Sequence, residues 1–295
     1  MKSKLSPSAC ERYEPSAPLL PAGESIDLPG RGITFARRAG IEHPGPTFVL
    51  LHGWTVNADL NFWRAYGPLS QAVPLLALDH RGHGRGIRSA ERFGLADCAD
   101  DVAALACQLG LNRIVPVGYS MGGLIGQLLW QRHRSLVAGL VLASTARNFK
   151  GNPGDRVYFS GLRGLAAASR VTPLAARAKI SRRYLKSKLR ALDLQAWGAS
   201  QLATLDVAKM TEAGAAIGDF DSRRWAADID VPTAVVVTTR DTKVPTARQE
   251  ALAAAIPGAT TLRVEGDHHC IATAPDRYVP VLVAACQQVA SRIDA

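Results

Sequence analysis

The clearest chemistry in this sequence lies at Gly118-Tyr119-Ser120-Met121-Gly122, a G-x-S-x-G. A serine hydroxyl is a weak nucleophile at neutral pH. It becomes useful when a base within hydrogen-bond reach takes its proton and a third group holds that base. Glycines two residues either side of the serine permit a tight strand-to-helix turn that leaves the hydroxyl exposed. The bare pattern also occurs by chance as a glycine-rich turn, so the flanks decide. An apolar run over 113–118 precedes it and a helical pattern over 121–133 follows, which is the context a nucleophile needs.

The partners should lie past strand ends further along the chain. Asp241 follows the predicted strand 233–237 and is the candidate orienting acid, although aspartate also commonly opens turns such as the one before Val244-Pro245. His268 and His269 both follow the predicted strand 260–264, and either could be the base. A tetrahedral oxyanion needs two donors. The backbone N–H of Met121, just after the nucleophile, supplies one, and the backbone N–H of Trp54 in His52-Gly53-Trp54, after the predicted strand 47–51, supplies the other.

The elements that must position these residues are legible as periodicities. Residues 26–39 read as a β-hairpin around Pro29-Gly30-Arg31-Gly32, and 47–51 and 73–78 as buried strands. An amphipathic helix over 95–109 carries Asp97, Asp100 and Asp101 in its first half, where the helix dipole favours acids. Strands over 113–118, 137–143, 233–237 and 260–264 alternate with helices over 121–133, 246–255 and 275–291. This rhythm predicts an α/β fold with a mainly parallel, doubly wound sheet covered on both faces. It lapses over 146–228, which is read as a helical insertion between core segments 25–145 and 229–295; residues 1–24, rich in Pro, Ser and Ala, read as an N-terminal extension.

The start of the chain has no continuous apolar run after its basic residues and does not read as a signal peptide. No stretch reaches the ~18 apolar residues of a membrane span, so a soluble, cytoplasmic protein is expected. Cys10, Cys98, Cys107, Cys270 and Cys286 are scattered without CxxC spacing, which suits reduced thiols rather than a disulfide framework or a zinc site.

Taken in order, His52-Gly53-Trp54, Asp79-His80-Arg81-Gly82-His83-Gly84, Gly118-Tyr-Ser-Met-Gly-Gly123, Asp241-Thr-Lys-Val-Pro245 and Asp267-His268 with Pro275 seven residues on resemble the landmarks of the α/β-hydrolase superfamily, in its capped serine esterase and lipase branch. The resemblance runs from about Ile26 to the end. It implies the α/β-hydrolase fold with the helical insertion as a cap, Ser120 as nucleophile, Asp241 as acid, and His268 rather than His269 as base because of the step to Pro275. It also implies that Asp79, Arg81 and His83 are structural turn residues and that no cofactor or metal is needed. One departure is Asp267, where the family usually carries glycine.

The expected activity is hydrolysis of a small-molecule carboxylic ester through an acyl-enzyme. Thioesterase, acyltransferase and C–C bond hydrolase chemistry on the same residues stay open, as does a non-catalytic ligand receptor on the same scaffold. Val157, Tyr158, Phe159, Leu162, Leu165, Trp197, Leu202 and Leu205 favour an apolar acyl chain, or else pack the insertion itself. Residues 147–190 hold twelve Lys and Arg against one acid, Asp155, while the whole chain carries a net charge of +10, so the basic character belongs to the insertion. That charge reads first as a solvated helical face. The interleaving of basic and apolar residues over 179–190 gives a second expectation, weak contact with an anionic membrane surface. Nucleic-acid binding is not expected, since no recognised binding motif accompanies the charge.

Overall fold

The computed structural model describes residues 18–172 and 196–293. Its eight strands, among the described residues, are β1 (Gly23–Leu28), β2 (Gly32–Ala39), β3 (Thr47–Leu51), β4 (Leu75–Leu78), β5 (Ile114–Tyr119), β6 (Leu140–Ala143), β7 (Thr233–Thr238) and β8 (Thr260–Val264). They form one sheet in the order β1-β2-β4-β3-β5-β6-β7-β8. The hairpin β1–β2 pairs antiparallel within itself and against β4, and every other pairing is parallel. This is the predicted mainly parallel α/β sheet. The hairpin begins at Gly23, inside the stretch expected as extension.

The strands read as continuous apolar runs because both faces are covered, and the period of two sorts their side chains. Val49, Leu51, Leu140, Leu142, Val235 and Val237 enter one core. Phe48, Leu50, Val141, Ala143, Ala234 and Val236 enter the other. The first core is closed mainly by α3 (Leu95–Gln108), α4 (Met121–Arg132) and α8 (Thr246–Ala255). The second is closed by α1 (Ala58–Phe62), α2 (Tyr66–Ser70), α9 (Cys270–Thr273) and α10 (Pro275–Ile293). At roughly 1.5–3 kcal/mol for each fully buried large apolar side chain, these two layers hold the sheet rigid beneath its loops.

Between β6 and β7 the described chain forms α5 (Pro153–Val171), α6 (Ala196–Ala203) and α7 (Val207–Asp219). Asn152 caps α5 reciprocally with Asp155, and Asp206 caps α7. Trp54 Nε1 donates to Met210 O at 2.7 Å, Asn57 Nδ2 to Gln201 Oε1 at 2.9 Å, and Glu212 accepts the Phe93 N–H at 2.9 Å, which fastens these helices to the loops of the sheet. Lys150 and Arg163 pair with Asp219, and Arg170 with Glu212, so three of the five basic residues described in 147–172 tie α5 and its lead-in to α7. The basic stretch over 179–190 lies outside the described residues.

Among the described residues no helix is long and apolar enough to cross a membrane. Cys98, Cys107, Cys270 and Cys286 are free thiols, and Cys10 lies outside the described residues.

Candidate active site

Ser120 stands between the end of β5 and the start of α4 with φ 54° and ψ −114°, a left-handed conformation that costs a non-glycine residue on the order of 1–3 kcal/mol. Its surroundings enforce that turn. Ser120 N–H donates to Ala143 O at 2.9 Å, and Thr145 Oγ1 donates to Ser120 O at 2.8 Å. A methyl at Gly122 would sit 1.9 Å from the Leu51 carbonyl oxygen, and one at Gly118 would sit 2.3 Å from the Gly122 carbonyl oxygen, so the helix can approach the sheet this closely only without side chains there.

His268 bridges the two other candidate residues. Its Nε2 lies 3.0 Å from Ser120 Oγ and its Nδ1 lies 2.7 Å from Asp241 Oδ2. The ring is partly exposed, whereas the Asp241 carboxylate is buried. Tyr119 OH donates to the His268 carbonyl, which holds the histidine loop against the serine turn. His269 points elsewhere. Its backbone N–H donates to Asp267 Oδ1 at 2.8 Å and the residue is exposed, so the structure brings together Ser120, His268 and Asp241 and leaves His269 at the edge. Asp267, the departure from the family pattern, thus caps the turn that leads into α9.

Asp241 is held by more than His268. Oδ1 accepts the N–H groups of Lys243 at 2.8 Å and Val244 at 2.9 Å, and Oδ2 accepts from Thr238 Oγ1 at 2.9 Å and Gln249 Nε2 at 3.1 Å. Burial pushes this carboxyl up, but the hydrogen bond and charge of His268, the Val244 N–H and the Thr238 hydroxyl outweigh it and hold it below its ordinary value.

Gln249 is the residue that sequence reasoning missed. It is fully buried on α8, where its amide also accepts the Thr238 N–H at 3.0 Å and donates to Val244 O at 2.7 Å. The signal was a polar residue on the face that Leu252 and Ala253 bury. Gln249→Leu would strand the buried Thr238 N–H and is expected to lower stability by about 1–3 kcal/mol. A urea midpoint indistinguishable from wild type would contradict this role.

The loop after β3 runs alongside Ser120. Gly53 N–H donates to Asn61 Oδ1 at 2.7 Å, and a methyl at Gly53 would come within 3.6 Å of Ser120 Cβ. Neither the Trp54 nor the Met121 N–H meets a backbone acceptor among the described residues, and both residues line the cavity above Ser120.

Beneath the loop, His52 Nδ1–H donates to Gly53 O at 2.8 Å and its Nε2 accepts the His80 N–H at 2.9 Å, which assigns its tautomer. The His52 ring lies 4.3 Å from His80 and 5.5 Å from His83, centroid to centroid. Burial pushes His52 down to about 4 and His83 to about 3, and lowers His80 well below its ordinary value. Asp79 accepts the Ala58 N–H at 3.0 Å and the Arg85 N–H at 2.8 Å, and Arg81 forks onto Asp101 with two bonds of 2.6 Å.

A cavity of about 980 Å³ opens above Ser120 and His268. Tyr158, Phe159, Leu162 and Leu165 of α5 line it with Ile217 of α7. The other apolar residues singled out in the insertion do not: Val157 is exposed, Leu202 and Leu205 are buried with Met210, and Trp197 meets Trp63 edge-on at 5.9 Å. No group of metal-ligating side chains occurs among the described residues.

The family model for the α/β-hydrolase fold matches residues 46–272. The chain belongs to the α/β-hydrolase family. Among α/β-hydrolases it is 26% identical over 211 residues to AB hydrolase superfamily protein YisY of Bacillus subtilis (strain 168), covering 68% of this chain and 76% of that protein. It is 34% identical over 107 residues to the pimeloyl-[acyl-carrier protein] methyl ester esterase of Photorhabdus laumondii, which is 34% of this chain and 36% of that protein. The solved structure of an esterase from Exiguobacterium antarcticum shares the α/β-hydrolase fold at a TM-score of 0.72 and 22% identity, over 89% of this chain and 98% of that one.

Proposed function

We propose that the protein hydrolyses carboxylic esters through an acyl-enzyme on Ser120, with His268 as general base and Asp241 as the acid that orients it. The observation that carries this reading is the continuous hydrogen-bonded line from Ser120 through His268 to Asp241 at the floor of a largely apolar cavity. An ionised carboxylate only accepts, so the proton between Asp241 and His268 sits on Nδ1 and leaves Nε2 to take the Ser120 proton. Ser120 Oγ then bonds to the acyl carbon, and the oxyanion meets the N–H groups of Trp54 and Met121. The imidazolium, stabilised by Asp241, passes its proton to the departing alcohol oxygen. Water enters, gives a proton to His268 and releases the acid, restoring Ser120. Because both oxyanion donors are backbone groups, replacing the Trp54 side chain reshapes the cavity more than it removes this stabilisation.

The apolar side chains of α5 and α7 above Ser120 support an apolar acyl chain and a capping role for 146–228. The test is turnover of p-nitrophenyl esters of graded chain length by wild type and by Ser120→Ala. Serine-dependent hydrolysis that improves from acetate to longer acyl groups is expected; absence of turnover across the panel would overturn the reading. The two histidines separate in the same assay. His268→Ala is expected to lower kcat on the order of 10⁴-fold or more, since triad members act as a unit. His269→Ala should stay within about tenfold of wild type, because this ring touches neither Ser120 nor Asp241. The reverse pattern would contradict the assignment.

A further inference from the structure

Among the described residues that line the cavity, Lys243 is the one permanently charged side chain. Its backbone N–H is anchored on Asp241 Oδ1, which fixes the root of the side chain two residues from the carboxylate that holds His268. Its ammonium group is exposed and pairs with no carboxylate among the described residues. The acids nearest in the chain are engaged elsewhere, Asp241 on His268 and Asp267 on the His269 N–H. Burial first, then the charges of His268 and Lys243, hold His269 below its ordinary value, which leaves Lys243 as the permanent positive charge on this wall of the cavity.

The side of the cavity matters. His268 delivers its proton to the departing oxygen, so the alcohol portion leaves over the His268 loop, whose His269 and Ala272 line the cavity together with Lys243. The apolar residues of α5 and α7 are left for the acyl chain. We propose that Lys243 selects esters whose alcohol portion carries an anionic group, such as a carboxylate, close to the ester oxygen; this rests on the ester-hydrolase reading above.

The test compares 3-carboxyphenyl butanoate with 3-carbamoylphenyl butanoate, which share an acyl chain and a near-identical leaving group and differ in charge. Wild type is expected to favour the anionic ester in kcat/KM. Lys243→Met should lower the anionic-to-neutral ratio about fivefold, the size expected of one exposed ion pair, with the change in KM. Lys243→Arg should retain the preference, and raising salt should erode it. A second arm needs no turnover: in Ser120→Ala, 3-hydroxybenzoate should bind more tightly than 3-hydroxybenzamide by calorimetry, and adding Lys243→Met should remove that difference. An unchanged ratio in Lys243→Met overturns the proposal, as does an equal loss with phenyl hydrogen glutarate, whose charge lies on the acyl side. If wild type hydrolyses no ester, the hydrolase reading fails by itself and the calorimetric arm still decides whether Lys243 forms an anion site.

Discussion

Ser120→Ala is expected to abolish ester turnover, with kcat falling on the order of 10⁵- to 10⁶-fold, while the protein stays folded. The two halves of this expectation have separate causes. In the proposed mechanism the hydroxyl is the atom that bonds to the acyl carbon, and nothing else at this turn presents a hydroxyl or thiol to His268 Nε2. The turn itself is held by the backbone bonds of Ser120 to Ala143 and Thr145 and by the side-chain-free approach of Gly118 and Gly122, all of which survive the substitution. Far-ultraviolet circular dichroism and the urea midpoint should therefore stay close to wild type. Adding His268→Ala to Ser120→Ala should cost almost nothing more if, as proposed, the two residues act on one proton. Near-wild-type turnover by Ser120→Ala would rule out the serine mechanism.

Stability is expected to fall steeply with acid before most carboxylates titrate. His52, His80 and His83 are buried and neutral in the native state, with His52 held at about 4 and His83 at about 3. In the unfolded chain an imidazole titrates near 6.5. Between that value and the native ones, the unfolded state binds protons that the native state refuses, so stability drops as pH falls below about 6.5 and the loss continues toward pH 4. Each such histidine contributes a slope of about 1.4 kcal/mol per pH unit once the pH is well below 6.5. Three of them together act on a total stability of only ~5–15 kcal/mol. His80→Leu should remove about a third of the slope, because its ring nitrogens meet no protein partner among the described residues and the substitution breaks no side-chain hydrogen bond. Urea titrations from pH 7 to 4.5 would show this directly, and a flat profile would contradict the neutral, buried trio.

The parallel strands were legible because burial on both faces writes them as short apolar runs: 47–51 and 260–264 match β3 and β8 residue for residue, and α8 coincides with 246–255. β6 begins at Leu140 rather than at residue 137, since Val137 closes a 3₁₀ turn on Arg134 before the strand starts. The short helices α1, α2 and α9, of four or five residues, give too little periodicity to register, although Asn57 capping Leu60 was a usable sign for α1. At the site, spacing marked out Ser120, Asp241 and two histidines but could not aim a ring. The fold does that, through the Tyr119 hydroxyl on the His268 carbonyl and the turn capped by Asp267. Gln249 and Thr238 stayed silent for a related reason: nothing in the local pattern tells a polar side chain that clamps a carboxylate from one that faces water.

The most direct test of the central claim is the site of attack by a fluorophosphonate, which bonds covalently only to an activated nucleophile and needs no knowledge of the natural ester. Intact mass followed by peptide mapping should give one adduct per chain, carried by Ser120, absent in Ser120→Ala and formed far more slowly in His268→Ala and Asp241→Asn. Labelling at another residue, or none on the folded wild-type protein, would contradict Ser120 as an activated nucleophile.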